Sequence, residues 1–516
     1  MNATIAQVNT KTTPICYHKD PLSLFQHLTQ NKPHSLLLES AEIESKDHLK
    51  SIVMTDAAMM ISCQASTLCF TALTENGASL LEPISTYFKQ HDCQIEAATL
   101  TVTLQSDSHQ LDEDSRLKAI SPLDGLRVLL QQISINTPAE FADLFMAGVL
   151  SYDLIATAEK LPEVATGVND CPDYLFYLAE TLILIDHQQQ QAQIVSQQFD
   201  QRQQTEQQLK QRVEQLSQQA QAQLATPSLQ TVTEEAHVNI SDADFVNTVI
   251  QLKQHIYAGD IFQVVPSRTF SISCPNPLNA YRALKLTNPS PYLFYVNGPD
   301  FTLFGASPES ALKYEAETNQ VEVYPIAGTR PRGKHADGSI DNDLDSRIEV
   351  ELRLDSKELA EHLMLVDLAR NDIARISQSG SRQVAELLKV DRYSHVMHLV
   401  SRVTGQLRQD LDALHAYQAC MNMGTLVGAP KIKAAELIRQ VEQQRRGSYG
   451  GAVGYINAQG DMDTCIVIRS AYVKNGVAHI QAGAGVVFDS DPQSEADETR
   501  QKAQAVINAI KLGGGL

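Results

Sequence analysis

The sequence predicts an α+β fold, and three observations carry that prediction. Short apolar runs broken by Gly, Pro and Asn recur through residues 50–105, as in a sheet-rich unit. From residue 241 onward, strand-like runs and stretches of helical periodicity follow one another without an internal repeat. The 516 residues, 43% hydrophobic and 20% charged, suffice for a large core and are too apolar for wholesale disorder.

Taken in order, residues 34–40 (HSLLLES) read as a short buried strand ending in polar groups. Helical periodicity marks 124–136 and 138–148, and residues 175–185 (LFYLAETLILI) read as one or two strands apolar on both faces. Glutamine dominates 188–224. There Leu209, Val213, Leu216, Ala220 and Leu224 recur at spacings of 4, 3, 4 and 4, so most of the segment is expected to be an amphipathic surface helix. Residues 226–240, with Pro227, read as a linker between an N-terminal domain (1–225) and a second domain (241–512). Beyond it, helices are expected at 243–258, 356–370, 411–421, 430–444 and 494–511. Strands are expected at 261–272, 292–297, 301–306, 320–326, 450–456, 464–473 and 477–482. The glycine-rich tail from Gly513 is expected to fray.

Charge narrows the function classes. With 61 acidic and 41 basic side chains the net charge is −20, which argues against nucleic acid or an anionic membrane as partner. It leaves an anionic small molecule open, because local charges decide that. The eight cysteines form no CxxC pair, so neither a zinc cage nor a disulfide framework is expected, and a reducing compartment fits. Residues 1–22 carry no continuous apolar core of a signal peptide, and no apolar run approaches the roughly 18 residues of a spanning helix. A cytoplasmic location is therefore expected. No cysteine has the Gly-x-Cys-x-Gly setting of a glutaminase nucleophile, and the chain contains no tryptophan.

Several side chains could carry chemistry. Asp355-Ser356 looks like a helix start, followed by Glu358 and Glu361; Pro492 and Ser494 mark another, followed by Glu495 and Glu498. Residues three apart on a helix point to one side. If the pairs faced each other, four carboxylates would meet, and their repulsion would call for a hard cation such as Mg²⁺. Ordinary first-turn acids that complement helix dipoles would show the same spacing. Arg469, in TCIVIRSAY, would share a strand face with Cys465, Val467 and Ala471. A buried guanidinium needs an anionic partner, either a structural carboxylate or a ligand's. Three glycine segments, PIAGTR (325–330), SYGGAVG (448–454) and Gly483-Ala484-Gly485, could let backbone N–H groups approach an anion, although none is a P-loop or a dinucleotide fingerprint. His398 lies among apolar neighbours, as a satisfied core residue or as an acid or base tuned near neutrality.

Ordered strings along nearly the whole chain resemble the chorismate-utilising enzymes, and among them the large (component I) subunits of bacterial anthranilate synthases. The strings are LLLES, YAGDIFQVVPSR, NPSPYLFY, GASPES, YPIAGTRPRG, ELAEHLMLVDLARND, HVMHLVSRV, MGTLVGAPK, YGGAVGY and QAGAGVVFDSDPQSEADET. The resemblance implies a large core of packed antiparallel sheets wrapped by helices, with an interwound N-terminal regulatory unit. It implies conversion of chorismate and ammonia to anthranilate and pyruvate, the first step of tryptophan biosynthesis, with feedback inhibition by L-tryptophan. Glu361 and Glu498 match the family's Mg²⁺ ligands, with Glu358 and Glu495 in support, and Glu358 counts among the catalytic positions as well. Arg469 and Tyr449 match residues for the enolpyruvyl carboxylate; Gly328, Thr329, Gly483, Ala484 and Gly485 match the backbone cradle, and Thr425 lines the same pocket. Glu309 matches the general acid for loss of the C4 hydroxyl, and His398 the residue tied to elimination of pyruvate.

Single positions separate the chemistries. Water-adding relatives resemble one another in a lysine base where this chain has Gln263, and aminodeoxychorismate synthases commonly have a nucleophilic lysine where it has Ala327. A glutamine can orient ammonia but is no base at neutral pH. With no glutaminase nucleophile, the resemblance implies a separate glutamine amidotransferase subunit (component II). Glu39, Ser40, Lys50, Pro291, Tyr292 and Leu293 match the tryptophan effector site, with Val453, Gly454 and Tyr455 beneath it. Leu293 stands where Met is frequent, and Val427 where related chains often have Ser or Thr. Competing readings are an aminodeoxychorismate synthase and a tryptophan-binding regulator without turnover.

Overall fold

Two long strands, Lys50–Gln64 and Tyr174–Asp186, pair antiparallel from Lys50 opposite Asp186 to Cys63 opposite Tyr174, and the rest of the fold is laid against them. Their register shifts between Met54 and Met59, and bulges of this kind bend a strand. The pair therefore serves two sheets. These relations come from a computed structural model that describes residues 6–40, 50–105, 111–135, 141–222, 224, 228–335, 337–393 and 396–515. Residues 226 and 227 of the expected linker, and 136 and 138–140 of the expected helices, lie outside the described residues.

In the first sheet, the 50–54 half pairs with Ser35–Glu39, which pairs with Tyr292–Asn297, then Thr302–Ser307, Ser470–Lys474, Val477–Gly483 and Ser267–Ser273, all antiparallel. On its other side lie Gln191–Gln198 and Ala6–Ile15. In the second sheet, the 174–178 half pairs with Met146–Leu150, then Ala452–Ile456, Met462–Ile466, Ser310–Glu315, Gln320–Val323 and Val396–Gln406. Val396–Gln406 also pairs with Ile326–Pro331 and Gln383–Arg392. Segments from both sides of the expected linker are thus stitched together twice, by Ser35–Glu39 with Tyr292–Asn297 and by Met146–Leu150 with Ala452–Ile456.

Leu36, Met54, Tyr177, Phe294, Val453 and Val467 form a core between the sheets. The outer face of the first sheet packs Leu37, Val53, Leu293 and Ile480 against helices Pro21–Thr29, Pro277–Thr287 and Pro492–Gly513. That of the second packs Ile61, Phe176, Leu312 and Val403 against helices Asp124–Gln132, Ser356–Ile376 and Ala413–Cys420. The result is four layers, helix–sheet–sheet–helix, the expected α+β class with packed antiparallel sheets. Strands buried on both faces read as continuous apolar runs, which is why Tyr174–Asp186 was legible. Among the described residues no helix is long and apolar enough to cross a membrane.

The structure corrects several expectations. Residues 146–150 form a strand, not part of a helix, because an apolar run buried on both faces carries no period that separates the two. Within the glutamine-rich segment, Gln191–Gln198 is a strand and only Gln203–Gln219 is helix. Tertiary bonds support those glutamines: buried Gln197 accepts through Oε1 from Leu144 N at 2.7 Å. The expected strand 261–272 divides into Gln263–Val264 and Ser267–Ser273, and 320–326 into Gln320–Val323 and the start of Ile326–Pro331. The expected strand 464–473 breaks between Met462–Ile466 and Ser470–Lys474. The tail is packed through Gly515, whose N–H donates to Gln230 O at 3.0 Å.

Gly148 and Gly454 sit opposite each other where the two halves of the chain meet. A Cβ on Gly148 would lie 2.1 Å from the Leu175 carbonyl oxygen and 2.6 Å from Phe176 Cα. Gly148→Ala should therefore lower stability by about 1–3 kcal/mol, the usual range for overpacking. A urea titration followed by circular dichroism checks this, and an unchanged midpoint contradicts it.

Candidate active site

The chain changes sheets twice at one corner. Between Thr302–Ser307 and Ser310–Glu315 it passes through Pro308 and Glu309; between Met462–Ile466 and Ser470–Lys474 it passes through Val467, Ile468 and Arg469. The two corners are hydrogen-bonded to each other, Ala306 N to Arg469 O at 3.1 Å and Ile466 N to Glu309 O at 3.0 Å. Arg469 takes φ +50°, so it stands off the strand face expected of it. Burial pulls its pKa down, while Tyr449, Glu498 and Glu309 favour its charge.

Glu309 is 7% exposed, and burial pushes its carboxyl up to about 8, opposed by a hydrogen bond from Thr425 Oγ1 at 2.9 Å. It therefore holds a proton at neutral pH and can give one up. His398 lies directly across from Thr329 in the strand pairing, with Thr329 Oγ1 2.8 Å from its Nδ1. Burial, then the charge of Arg469, lowers the His398 pKa to about 4, below the near-neutral tuning expected from the sequence, so the imidazole is neutral and a weaker base than an exposed histidine.

The four glutamates converge from two helix starts. Asp355 caps Ser356–Ile376 by accepting from Lys357 N and Glu358 N at 3.0 and 3.1 Å, and Asp491 caps Pro492–Gly513 by accepting from Ser494 N at 2.9 Å. Burial and the charge of Glu358, then that of Glu498, raise the Glu361 pKa. Burial pushes Glu495 up to about 7, with Glu498 adding to it; burial also raises Glu498, but the Lys502 ammonium, a hydrogen bond with Glu495 and the charge of Arg469 together leave it lowered. Each of three carboxylates has a partner. Arg330 donates to Glu358 at 2.9 Å and to Asp355 at 2.7 Å, Gln263 Nε2 to Glu361 at 2.8 Å, and Lys502 to Glu498 at 2.7 Å. In that arrangement no three acidic, histidine or cysteine side chains among the described residues are set to hold a metal. The donor set nevertheless suits a hard cation: all are carboxylate oxygens, and Glu495 Oε2 and Gln263 Oε1 are buried without a hydrogen-bond partner.

The glycine segments frame the same space. Gly328 has φ +81°, and a Cβ on it would lie 3.3 Å from Glu358 Oε2. A Cβ on Gly485 would lie 2.9 Å from Gln263 Nε2 and 3.3 Å from Glu361 Oε1; one on Gly483 would lie 3.1 Å from Tyr449 Oη. Ala484 N donates to Pro266 O at 3.1 Å. The structure thus gathers Glu309, His398, Gln263, the four glutamates, Thr425, Tyr449, Arg469 and the glycine cradle. Sequence reasoning missed Arg330 and Lys502. Lys502 sits four residues after Glu498, an i, i+4 ion-pair spacing that could have revealed it.

The second cluster lies where the chain's two halves meet. Glu39 is opposite Leu293, Tyr455 is opposite Ala147 and Gly454 opposite Gly148. Tyr292 donates to Asp463 Oδ1 at 3.0 Å, Tyr455 stacks on Phe145 with centroids 5.1 Å apart, and Lys50 Nζ lies 5.1 Å over the Phe141 ring. Tyr292, Val453 and Tyr455 line the core between the sheets, with Pro291 preceding Tyr292 and Ser40 following Glu39. Glu39 and Leu293 face the other way, toward helix Pro277–Thr287, where Glu39 accepts from Tyr281 at 2.7 Å and pairs with Lys285.

A family model described as chorismate binding enzyme matches residues 83–508. Anthranilate synthase component 1 of Vibrio cholerae is 60% identical over 496 residues, 96% of this chain and 94% of that protein. Its Escherichia coli counterpart is 54% identical over 503 residues, 96% and 95% of the two chains. The crystal structure of anthranilate synthase component I from Streptococcus pneumoniae superimposes with a TM-score of 0.71 at 30% identity, covering 90% of this chain and 94% of that one.

The raised pKa of Glu309 has a consequence for stability. Its carboxyl moves from an ordinary 4.5 to about 8 on folding, so the folded chain binds the proton more tightly. The stabilisation is fully present below pH 4.5 and is lost as pH rises through 8. Glu309→Gln should remove that slope. Urea unfolding at pH 5.5 and 8 should show the parent losing more stability than the variant; parallel losses would contradict the assignment.

Proposed function

The chain belongs to the family of chorismate-binding enzymes, and on that premise we propose that it acts as the component 1 subunit of an anthranilate synthase, converting chorismate and ammonia to anthranilate and pyruvate. The observation that carries this is the 54–60% identity, over 96% of its length, to curated component 1 subunits. The group on the nucleophile's side agrees: it is the Gln263 amide, not a lysine, and Ala327 leaves no side-chain amine for a covalent route.

Gln263, held by Glu361, orients ammonia toward C2 of chorismate. Glu309, protonated at neutral pH, delivers its proton to the C4 hydroxyl, which leaves as water as the C2–N bond forms, and the ammonium formed at C2 gives up a proton in exchange. Neutral His398 then takes the C2 proton as the C3–O bond breaks, the C–H electron pair completes the aromatic ring, and the departing enolpyruvate takes up a proton at its methylene carbon to become pyruvate. Arg469, which has no hydrogen-bonded carboxylate among the described residues, and Tyr449 hold the enolpyruvyl carboxylate. Gly328, Thr329, Gly483, Ala484 and Gly485 cradle the substrate, and Thr425 orients Glu309. A Mg²⁺ ion held by Glu361 and Glu498, with Glu358 and Glu495 in support, would neutralise and polarise the ring carboxylate. Glutamine-derived ammonia would come from a separate amidotransferase, the component 2 that the relatives' naming implies. Residues 241–512 would then be the catalytic portion and 1–225 the regulatory one, joined by 226–240.

The test mixes the chain with chorismate, ammonium salt and Mg²⁺ and follows anthranilate fluorescence and pyruvate. Both should appear in equal amounts; aminodeoxychorismate without pyruvate, or no turnover, would overturn the reading. Glu361→Gln and Glu498→Gln should each cost more at limiting Mg²⁺ than the roughly 10–100-fold typical of losing an outer-sphere partner.

We further propose that L-tryptophan binds at the meeting of the two halves, against Ser40, Lys50, Pro291, Tyr292, Gly454 and Tyr455, with Glu39 and Leu293 on the opposite face fixing their strands to helix Pro277–Thr287. An inhibitor there acts by binding two states unequally, and a coupling of roughly 1–3 kcal/mol is typical. Ser40→Phe should abolish inhibition by tryptophan and leave the uninhibited rate unchanged. Full inhibition of that variant in the same assay would move the sensor elsewhere.

A further inference from the structure

Beneath Tyr449 lies an ion pair with no assigned role. Arg446 is 1% exposed, and its partner Glu442 is buried with it. The guanidinium donates through Nε to Glu442 Oε2 at 2.9 Å, through Nη1 to Leu426 O at 2.8 Å and through Nη2 to Val265 O at 2.6 Å. Its Cζ lies over the rings of Tyr152 and Tyr449, 4.7 and 5.6 Å from their centroids. Glu442 Oε1 accepts from Ser267 N at 2.8 Å and from Ser267 Oγ at 2.7 Å, and Ser267 is the register partner of Gly483.

One fork thus holds four segments at fixed separations. Leu426 follows Thr425, Val265 follows Gln263 by two residues, Ser267 pairs with Gly483, and the Tyr449 ring lies within cation–π distance of the fork itself. A buried ion pair is a poor source of stability, because well-packed apolar residues of similar volume often do as well. What apolar residues cannot do is bond to two carbonyls and a carboxylate at once while placing a cation against a ring.

We propose that Arg446, neutralised by Glu442, is a positioning residue that sets the Tyr449 phenol against chorismate. The inference rests on the reading above that Tyr449 binds the substrate, and it assigns Arg446 no contact with the substrate.

The test is a double-mutant cycle on the full-length chain. Chorismate binding is measured by calorimetry with Mg²⁺ present and ammonia omitted. Arg446→Met combined with Glu442→Leu removes both charges together, so that neither is left buried alone. It should weaken chorismate binding about tenfold or more, as misplacement of a binding group does, while the circular dichroism spectrum stays that of the parent. Tyr449→Phe alone should weaken binding comparably, and adding it to the pair should cost little further. Losses that multiply would mean that Arg446 acts elsewhere, and parental affinity would end the proposal. If the paired variant does not fold, Arg446→Lys serves, since it keeps the charge but cannot reach both carbonyls; parental affinity there would also overturn the inference. A parent that does not bind chorismate would instead refute the functional reading.

Discussion

The site depends on a geometric constraint: two neighbouring antiparallel connections leave one sheet and enter the other at the same corner. Strands that stay in one sheet alternate their side chains between its faces. A connection that changes sheets must point some side chains into the gap that opens where the sheets diverge. At this corner those side chains are Glu309 and Arg469, and the backbone bonds between Ala306 and Arg469 and between Ile466 and Glu309 tie their positions together. The positive φ of Arg469 is part of that turn. Burial at the corner is also what keeps Glu309 protonated near neutrality.

Around the corner, the acidic charge is partly offset before any ligand arrives. Four carboxylates on two helix starts would repel one another in a space only partly open to water. Arg330, the Gln263 amide and Lys502 each take one, and the Glu495 carboxyl, raised to about 7, relieves part of the remainder by protonation. An entering cation has to displace such partners, which ties the proposed metal site to Arg330 on the strand of Gly328 and Thr329, and to Lys502 on the helix of Glu498 and Glu495. Lys502 also donates to Gly483 O at 3.1 Å, so the cradle and the acidic cluster share a residue.

The two strand pairings Ser35–Glu39 with Tyr292–Asn297 and Met146–Leu150 with Ala452–Ile456, which join the halves of the chain, lie in different sheets, yet both border the core between the sheets. The strand Ala452–Ile456 begins three residues after Tyr449 and pairs with Met462–Ile466, which leads into Arg469. A ligand wedged beside Tyr292 and Tyr455 would press on elements continuous with the chorismate side of the molecule. Long-range inhibition in this architecture would need only a small change in how the sheets separate.

Much of this was legible in the sequence, and the limits have physical causes. Helix starts declare themselves locally through caps and spacing, so both glutamate helices and their paired acids were readable from Asp355-Ser356 and Pro492-x-Ser494. Runs buried on both faces read as strands where they were long, as at Tyr174–Asp186, and failed at 146–150, where a short apolar run carries no decisive period. Motif strings identified the family because site residues stand at fixed places along the chain. The sequence could not reveal the break at Val467–Arg469, which arises from the change of sheets and not from any local turn signal. Nor could it show that Glu39 turns toward Tyr281 and Lys285, that Arg330 and Lys502 pair with Glu358 and Glu498, or that Arg446 underlies Tyr449. Those facts join residues far apart in the chain, and only tertiary packing decides which of them meet.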